Sequence, residues 1–285
     1  MLRKLKSYLL GWMNSLDVHL PLWVAVRVRN RWMLGKPVLD YLEFHVADHC
    51  NMNCAGCTHY SPYLEKHFAD VESVQRDFAR LREIFSNVRK IRIMGGEPLL
   101  HPDVATFMKI ARETFPKSHV TLTTNGILLA RQGATFWEAC RKWRVGIDFT
   151  VYPPMASREG EVCDLCERER VPLRVSVSGM FVSKLDVTGK QPMKSAFRAC
   201  RKGNYCPILK SGRIYHCAEA CYADAYNRAA GTRIPPEMGM ELEAHTGTEI
   251  LKYLMCPVFA CCFCSPRRRC FEWHNVGVRS EDWQM

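Results

Sequence analysis

Cys50-Asn51-Met52-Asn53-Cys54-Ala55-Gly56-Cys57 sets three thiols at C-x3-C-x2-C spacing. The run before it, Leu39-Asp40-Tyr41-Leu42-Glu43-Phe44-His45-Val46-Ala47, has the length and apolar content of a strand, so the thiols are expected on the loop leaving that strand. Soft sulfur ligands gathered on one short loop point to a metal site. Their number narrows its kind. A closed zinc site and a four-iron cube each take four ligands, so three thiolates would leave one iron of a cube open to a substrate or cofactor.

A second stretch, Lys90-Ile91-Arg92-Ile93-Met94-Gly95-Gly96-Glu97-Pro98, is a short apolar strand running into two glycines. Without a Cβ, the backbone there can approach a ligand closely. The two motifs, in this order and a helix-sized gap apart, resemble those of the radical S-adenosylmethionine (SAM) enzymes. The resemblance implies an α/β fold, a partial (β/α)6 TIM-like barrel, with the cluster loop after the first strand and the SAM amino group held by the turn after the second. It implies that Cys50, Cys54 and Cys57 carry a catalytic [4Fe–4S] cluster and that Gly95, Gly96, Glu97 and Pro98 bind SAM.

A chain of 285 residues with 47% hydrophobic content can bury the core of one barrel-sized domain plus a smaller one. Fifteen cysteines in a chain this long, with no signal-peptide pattern, suggest cytoplasmic metal chemistry over a secreted disulfide scaffold. No apolar run approaches the roughly 18 to 20 residues of a spanning helix. The net charge of +11 is concentrated early, with seven Lys or Arg in residues 1–37 against Asp17 alone. Leu2, Leu5, Leu9, Trp12, Met13 and Leu16 recur there at helical spacing, and Pro21 opens a second candidate helix with Trp23, Val26 and Trp32. A basic amphipathic extension of this kind either packs on the barrel or meets a membrane surface or an anionic partner. No nucleic-acid-binding motif accompanies the charge, so nucleic acid is not an expected partner.

From Leu39 onward strand and helix patterns alternate. Helices are expected over 71–88, 101–115, 136–143 and 158–170, and further strands at 90–95, 119–124, 145–152 and 173–178. Such alternation gives a parallel sheet with its site at the carboxyl ends of the strands. The resemblance adds polar cofactor contacts near the ends of strands three to five, which by position are Asn125, Asp148 and Ser176, with Thr123 and Ser178 as neighbours. Turn chemistry at Asn125-Gly126 and a simple lining role for the others are the bland readings. Cys140, Cys163 and Cys166 read as buried structural thiols.

Residues 38–196 therefore form the expected barrel, and 197–285 a cysteine-rich α+β module. It holds nine cysteines and weak periodicity, and such a small unit needs metal to stabilise it. Its spacing resembles the SPASM and twitch auxiliary-cluster extensions of radical SAM enzymes: Cys200, Gly212 and Cys217 around a hairpin at 208–216, then Cys261, Cys264 and Cys270. The match breaks where His274 stands at the next cysteine position. By that resemblance one auxiliary [4Fe–4S] cluster uses Cys200, Cys217, Cys261 and Cys264, and Cys206, Cys221, Cys256, Cys270 or His274 offer ligands for a second. Structural zinc is the alternative metal, because spacing alone does not name it.

The implied chemistry is reductive cleavage of SAM to methionine and a 5′-deoxyadenosyl radical, which abstracts hydrogen from substrate. An auxiliary cluster would then assist oxidation, epimerisation or cross-linking, with flavodoxin or ferredoxin as electron donor. A small, sugar-type substrate is expected, since residues 1–37 are short for a peptide-recognition domain. The alternatives are a peptide- or protein-modifying enzyme of the RiPP or sulfatase-maturase kind, and a non-catalytic zinc protein that binds a partner.

Overall fold

The computed structural model describes residues 36–200, 206–275 and 279–285. The basic leader expected at 1–37 lies outside these residues except for its last two positions. Five strands form in sequence: β1 Val38–Ala47, β2 Asn87–Gly95, β3 His119–Thr124, β4 Val145–Val151 and β5 Leu173–Val177. They are joined by the helices Val71–Ile84, Val104–Thr114, Ala134–Lys142 and Glu159–Arg168 and pair in parallel, each with the next. Beyond β1 the sheet continues into β7 (Ile208–Lys210, parallel), β8 (Arg213–Tyr215) and β9 (Met240–Glu241), both antiparallel. The result is a mixed α/β, partial TIM-like barrel, and the carboxyl ends of β1 to β5 share one rim.

The sixth strand of the chain, β6 (Met180–Leu185), leaves this sheet and pairs antiparallel with β10 (Cys264–Glu272). Only Ser178 and Gly179 separate it from β5. A parallel neighbour needs a crossover of a dozen or more residues, so β6 cannot lie parallel beside β5. The sixth parallel position is instead filled by β7, on the far side of β1.

The first helix shows how local rules set the elements. The Asp70 side chain caps it by accepting from the Ser73 amide at 2.8 Å, and Val74, Phe78, Leu81 and Ile84 line its buried face. Its last residue is Ile84, four before the end its apolar pattern suggests, and the backbone turns extended at Phe85 (ψ 141°). Val88 is apolar because it lies on β2 opposite Leu39, not because the helix continues. Phe78 packs edge-on to Phe44 with ring centroids 5.1 Å apart, tying helix to β1.

The cysteine-rich region contains more regular structure than its periodicity suggested, including the helices Ala223–Ala230 and Gly247–Leu254. It shares a second core, Ile208, Ala218, Tyr222, Tyr226, Phe263 and Trp283, with Tyr60 of the thiol loop and Leu185 of β6. Phe78→Ala should cost about 3–5 kcal/mol in chemical denaturation, the usual loss for a fully buried aromatic ring, and an unchanged midpoint would refute this account of the core.

Candidate active site

At the carboxyl rim a cavity of about 400 Å³ is bordered by Cys50, Cys54 and Cys57, by Gly95 and Gly96, by Asn125, Thr150, Tyr152 and Ser178, and by Arg92, Lys184 and Arg268. The loop after β1 and the turn after β2 are locked together by backbone. Gly96 N–H donates to Ala47 C=O at 2.8 Å and Glu97 N–H to His49 C=O at 3.0 Å. A Cβ on Gly95 would stand 2.1 Å from the Ala47 carbonyl oxygen, and one on Gly96 2.3 Å from that of His49. The glycines are thus required by the approach of the thiol loop itself, a cause different from the ligand approach suggested by sequence.

Glu97 is fully buried and does not border the cavity. Its carboxylate accepts from Leu99 N–H at 3.1 Å, Thr124 Oγ1 at 2.7 Å and Asn125 N–H at 2.9 Å. Burial outweighs these donors and pushes its carboxyl up to about 7. Pro98 opens the 3-10 turn Pro98–Leu100 behind it. Glu97 therefore fastens the end of β3 to the glycine turn and sets Asn125, whose Nδ2 donates to Asn51 Oδ1 at 2.7 Å and faces Cys50 Sγ at 3.7 Å.

The three thiols have different surroundings. Burial raises the Cys50 thiol and pushes Cys54 up to about 11. Burial would also raise Cys57, but hydrogen bonding to and the charge of His59 bring it below its ordinary value. Burial opposes the charge on His59, yet Cys57 and Glu43 push that ring up to about 9. Trp273 Nε1 donates to Cys54 Sγ at 3.1 Å, a contact that no local pattern around residue 273 announces.

Asp148 and Ser176, expected as cofactor contacts, do not border the cavity. Asp148 is held by Arg92 at 2.9 Å, Lys90 at 3.7 Å and Thr121 at 3.2 Å. Ser176 is exposed and pairs in register with Thr150. Their places are taken one pleat further along each strand, by Thr150 and Ser178.

Cys200, Cys217, Cys261 and Cys264 line a second, adjoining cavity with Lys184 and Glu219. Cys200 and Lys184 border both cavities. Burial pushes Cys261 up to about 11 and Cys264 to about 12. Burial works against the Lys184 ammonium, but Glu219, 3.0 Å away, and the surrounding thiols hold it well above its usual range. Cys270, expected among the ligands, stands apart: it is exposed on β10 opposite Val182. Cys256 is also exposed, Cys206 Sγ faces His216 C=O, and His274 Nε2 is 3.5 Å from Asp282. None of these, nor Cys221, lines either cavity. Among the described residues no three His, Cys, Asp or Glu side chains are drawn to the spacing of a single-ion site.

The donor sets suit iron–sulfur clusters by their chemistry. Three thiols, Cys54 buried and Cys50 and Cys57 half-buried, face one cavity with N–H donors aimed at two of them, and four more face the next with the half-buried Lys184 ammonium beside them. Among the described residues no helix is long and apolar enough to cross a membrane.

The GTP 3′,8-cyclase of Chlorobaculum tepidum is 38% identical over 94 residues, covering 33% of this chain and 28% of that protein. The GTP 3′,8-cyclase of Sulfurimonas denitrificans is 32% identical over 121 residues, covering 42% and 37%. The chain thus spans about a third of the length of the curated relatives it matches. The crystal structure of BtrN in complex with AdoMet and 2-DOIA superposes with a TM-score of 0.54 over 88% of this chain and 100% of that one, at 14% identity, a likeness of fold. Residues 45–171, the stretch that runs from β1 through its thiol loop to the threshold of β5, match the radical SAM superfamily.

Proposed function

We propose that the chain is a radical SAM enzyme acting on a small, sugar-type molecule, with an auxiliary [4Fe–4S] cluster assisting an oxidation or epimerisation. One observation carries this: the three-thiol and four-thiol cavities adjoin, with Cys200 and Lys184 as their common wall. The family implies a [4Fe–4S] cluster and SAM, which when bound to each other supply a 5′-deoxyadenosyl radical for hydrogen abstraction. Cys50, Cys54 and Cys57 would hold that cluster, and Gly95, Gly96 and Asn125 would border SAM. Cys200, Cys217, Cys261 and Cys264 would hold the auxiliary cluster. Thr150, Tyr152 and Ser178 offer hydroxyl groups to an oxygen-rich substrate, and the partly apolar wall at Met180, Phe181 and Val182 limits water around it. The fold of BtrN, seen with AdoMet and 2-DOIA over the whole of its length, supports this reading. A flavodoxin- or ferredoxin-like donor would supply the electron.

A nucleotide substrate is a second reading, suggested by the cyclase relatives. It is favoured by the cavity wall, which among the described residues carries Arg92, Lys184, Arg268 and the His59 ring and no carboxylate.

Anaerobically reconstituted protein should hold about eight irons, two four-iron cubes, and make 5′-deoxyadenosine from SAM and reductant. The triple variant Cys50→Ala, Cys54→Ala, Cys57→Ala should retain about four irons and make none. A wild-type count of about four irons with bound zinc would sink the auxiliary cluster, and an iron-free protein the enzyme reading altogether. Cys270→Ala should leave the count at about eight; a fall to about four would return that thiol to the ligand set. Adding sugar-type compounds or nucleoside triphosphates separately, and measuring which accelerates 5′-deoxyadenosine formation, decides between the two substrate readings.

A further inference from the structure

The thiol loop is enclosed from a segment more than two hundred residues away in sequence. Asn53 N–H donates to Asn275 Oδ1 at 2.8 Å and Ala55 N–H to His274 C=O at 3.1 Å. Trp283 Nε1 donates to Cys57 C=O at 2.8 Å. Gly56, at φ +67°, lies under Phe271, whose ring carbon would stand 2.5 Å from a Cβ there. Trp273 is itself fixed by its backbone N–H, which donates to Gly179 C=O at 2.8 Å just before β6. Its indole then points Nε1 at Cys54 Sγ, 3.1 Å away.

Of the five contacts made to the thiol loop itself, four hold backbone or fill space and one ends on a sulfur. An N–H donor to a cluster thiolate draws negative charge from the sulfur and favours the reduced state, so its loss makes reduction harder. We infer that Trp273 is a positioning residue of the radical SAM site: its indole N–H holds Cys54 in place and raises the reduction potential of the cluster on Cys50, Cys54 and Cys57. The inference rests on the reading of those thiols as that cluster's ligands. It gives the C-terminal strand a role at the SAM centre in addition to its part in the auxiliary cavity, which it enters through Cys264.

The test is an EPR-monitored redox titration of the reconstituted full-length chain, comparing wild type with Trp273→Phe, which keeps a ring and removes the donor. Iron content should be unchanged. The midpoint of the signal that is absent from the Cys50/Cys54/Cys57→Ala variant should move to more negative potential, while the auxiliary signal stays in place. Equal midpoints in a fully loaded Trp273→Phe protein overturn the inference and leave the assignment of the thiols intact. A wild type lacking any signal dependent on Cys50, Cys54 and Cys57 overturns both. Should Trp273→Phe fail to load, pulsed EPR of the protein carrying 15N-indole tryptophan at position 273 alone, recorded without SAM, decides: a nitrogen coupling on the Cys50/Cys54/Cys57-dependent signal supports the bond, and its absence overturns it.

Discussion

The backbone contact between the glycine turn after β2 and the loop leaving β1 is the constraint on which the rest of the site depends. Two hydrogen bonds, from Gly96 to Ala47 and from Glu97 to His49, fix the thiol loop against the turn, at a separation that excludes any side chain at positions 95 and 96. From that junction Glu97 reaches across to the end of β3 and orients Asn125 toward Cys50. Thiol loop and cavity wall are therefore held as one unit by main chain, the preorganisation that the proposed cofactor chemistry would demand of a protein.

The barrel was legible because its signals are short-ranged. Strand patterns at 39–47, 119–124 and 145–152 each match an observed strand to within a residue, and the thiol and glycine motifs fall at strand ends as their order implies. Position along the chain says less where tertiary context decides. Asp148 and Ser176 lie on the same strand faces as Thr150 and Ser178 but one pleat lower, and counting along a strand does not give the height of the cavity floor. Asp148 instead neutralises Arg92 inside the barrel. The helix Gly247–Leu254 was visible in principle through the Thr246–Glu249 capping box, which the structure forms in full. β6 was hidden because its partner, β10, lies about eighty residues away and antiparallel pairing over that distance leaves no local mark.

The four-thiol cavity shows a different kind of legibility. Its four thiols were nameable from spacing, yet the lysine that borders both cavities, Lys184, was not. A lysine in a short strand is ordinarily solvated; here Glu219 and the surrounding thiols offset its buried charge. The ammonium lines both cavities, and the sulfurs that act on it, Cys200, Cys217 and Cys264, belong to the four-thiol one.

Enclosure of the thiol loop by Trp273 has a consequence during synthesis. The two partners are separated by 219 positions, which a ribosome covers in roughly 10–40 s at about 5–20 residues per second. Throughout that interval Cys50, Cys54 and Cys57 lack their cover and are open to oxidants and to stray metals. The order of residues along the chain thus creates a period of vulnerability for the nascent protein, in which an oxygen-poor compartment or an escorting chaperone would protect the three thiols.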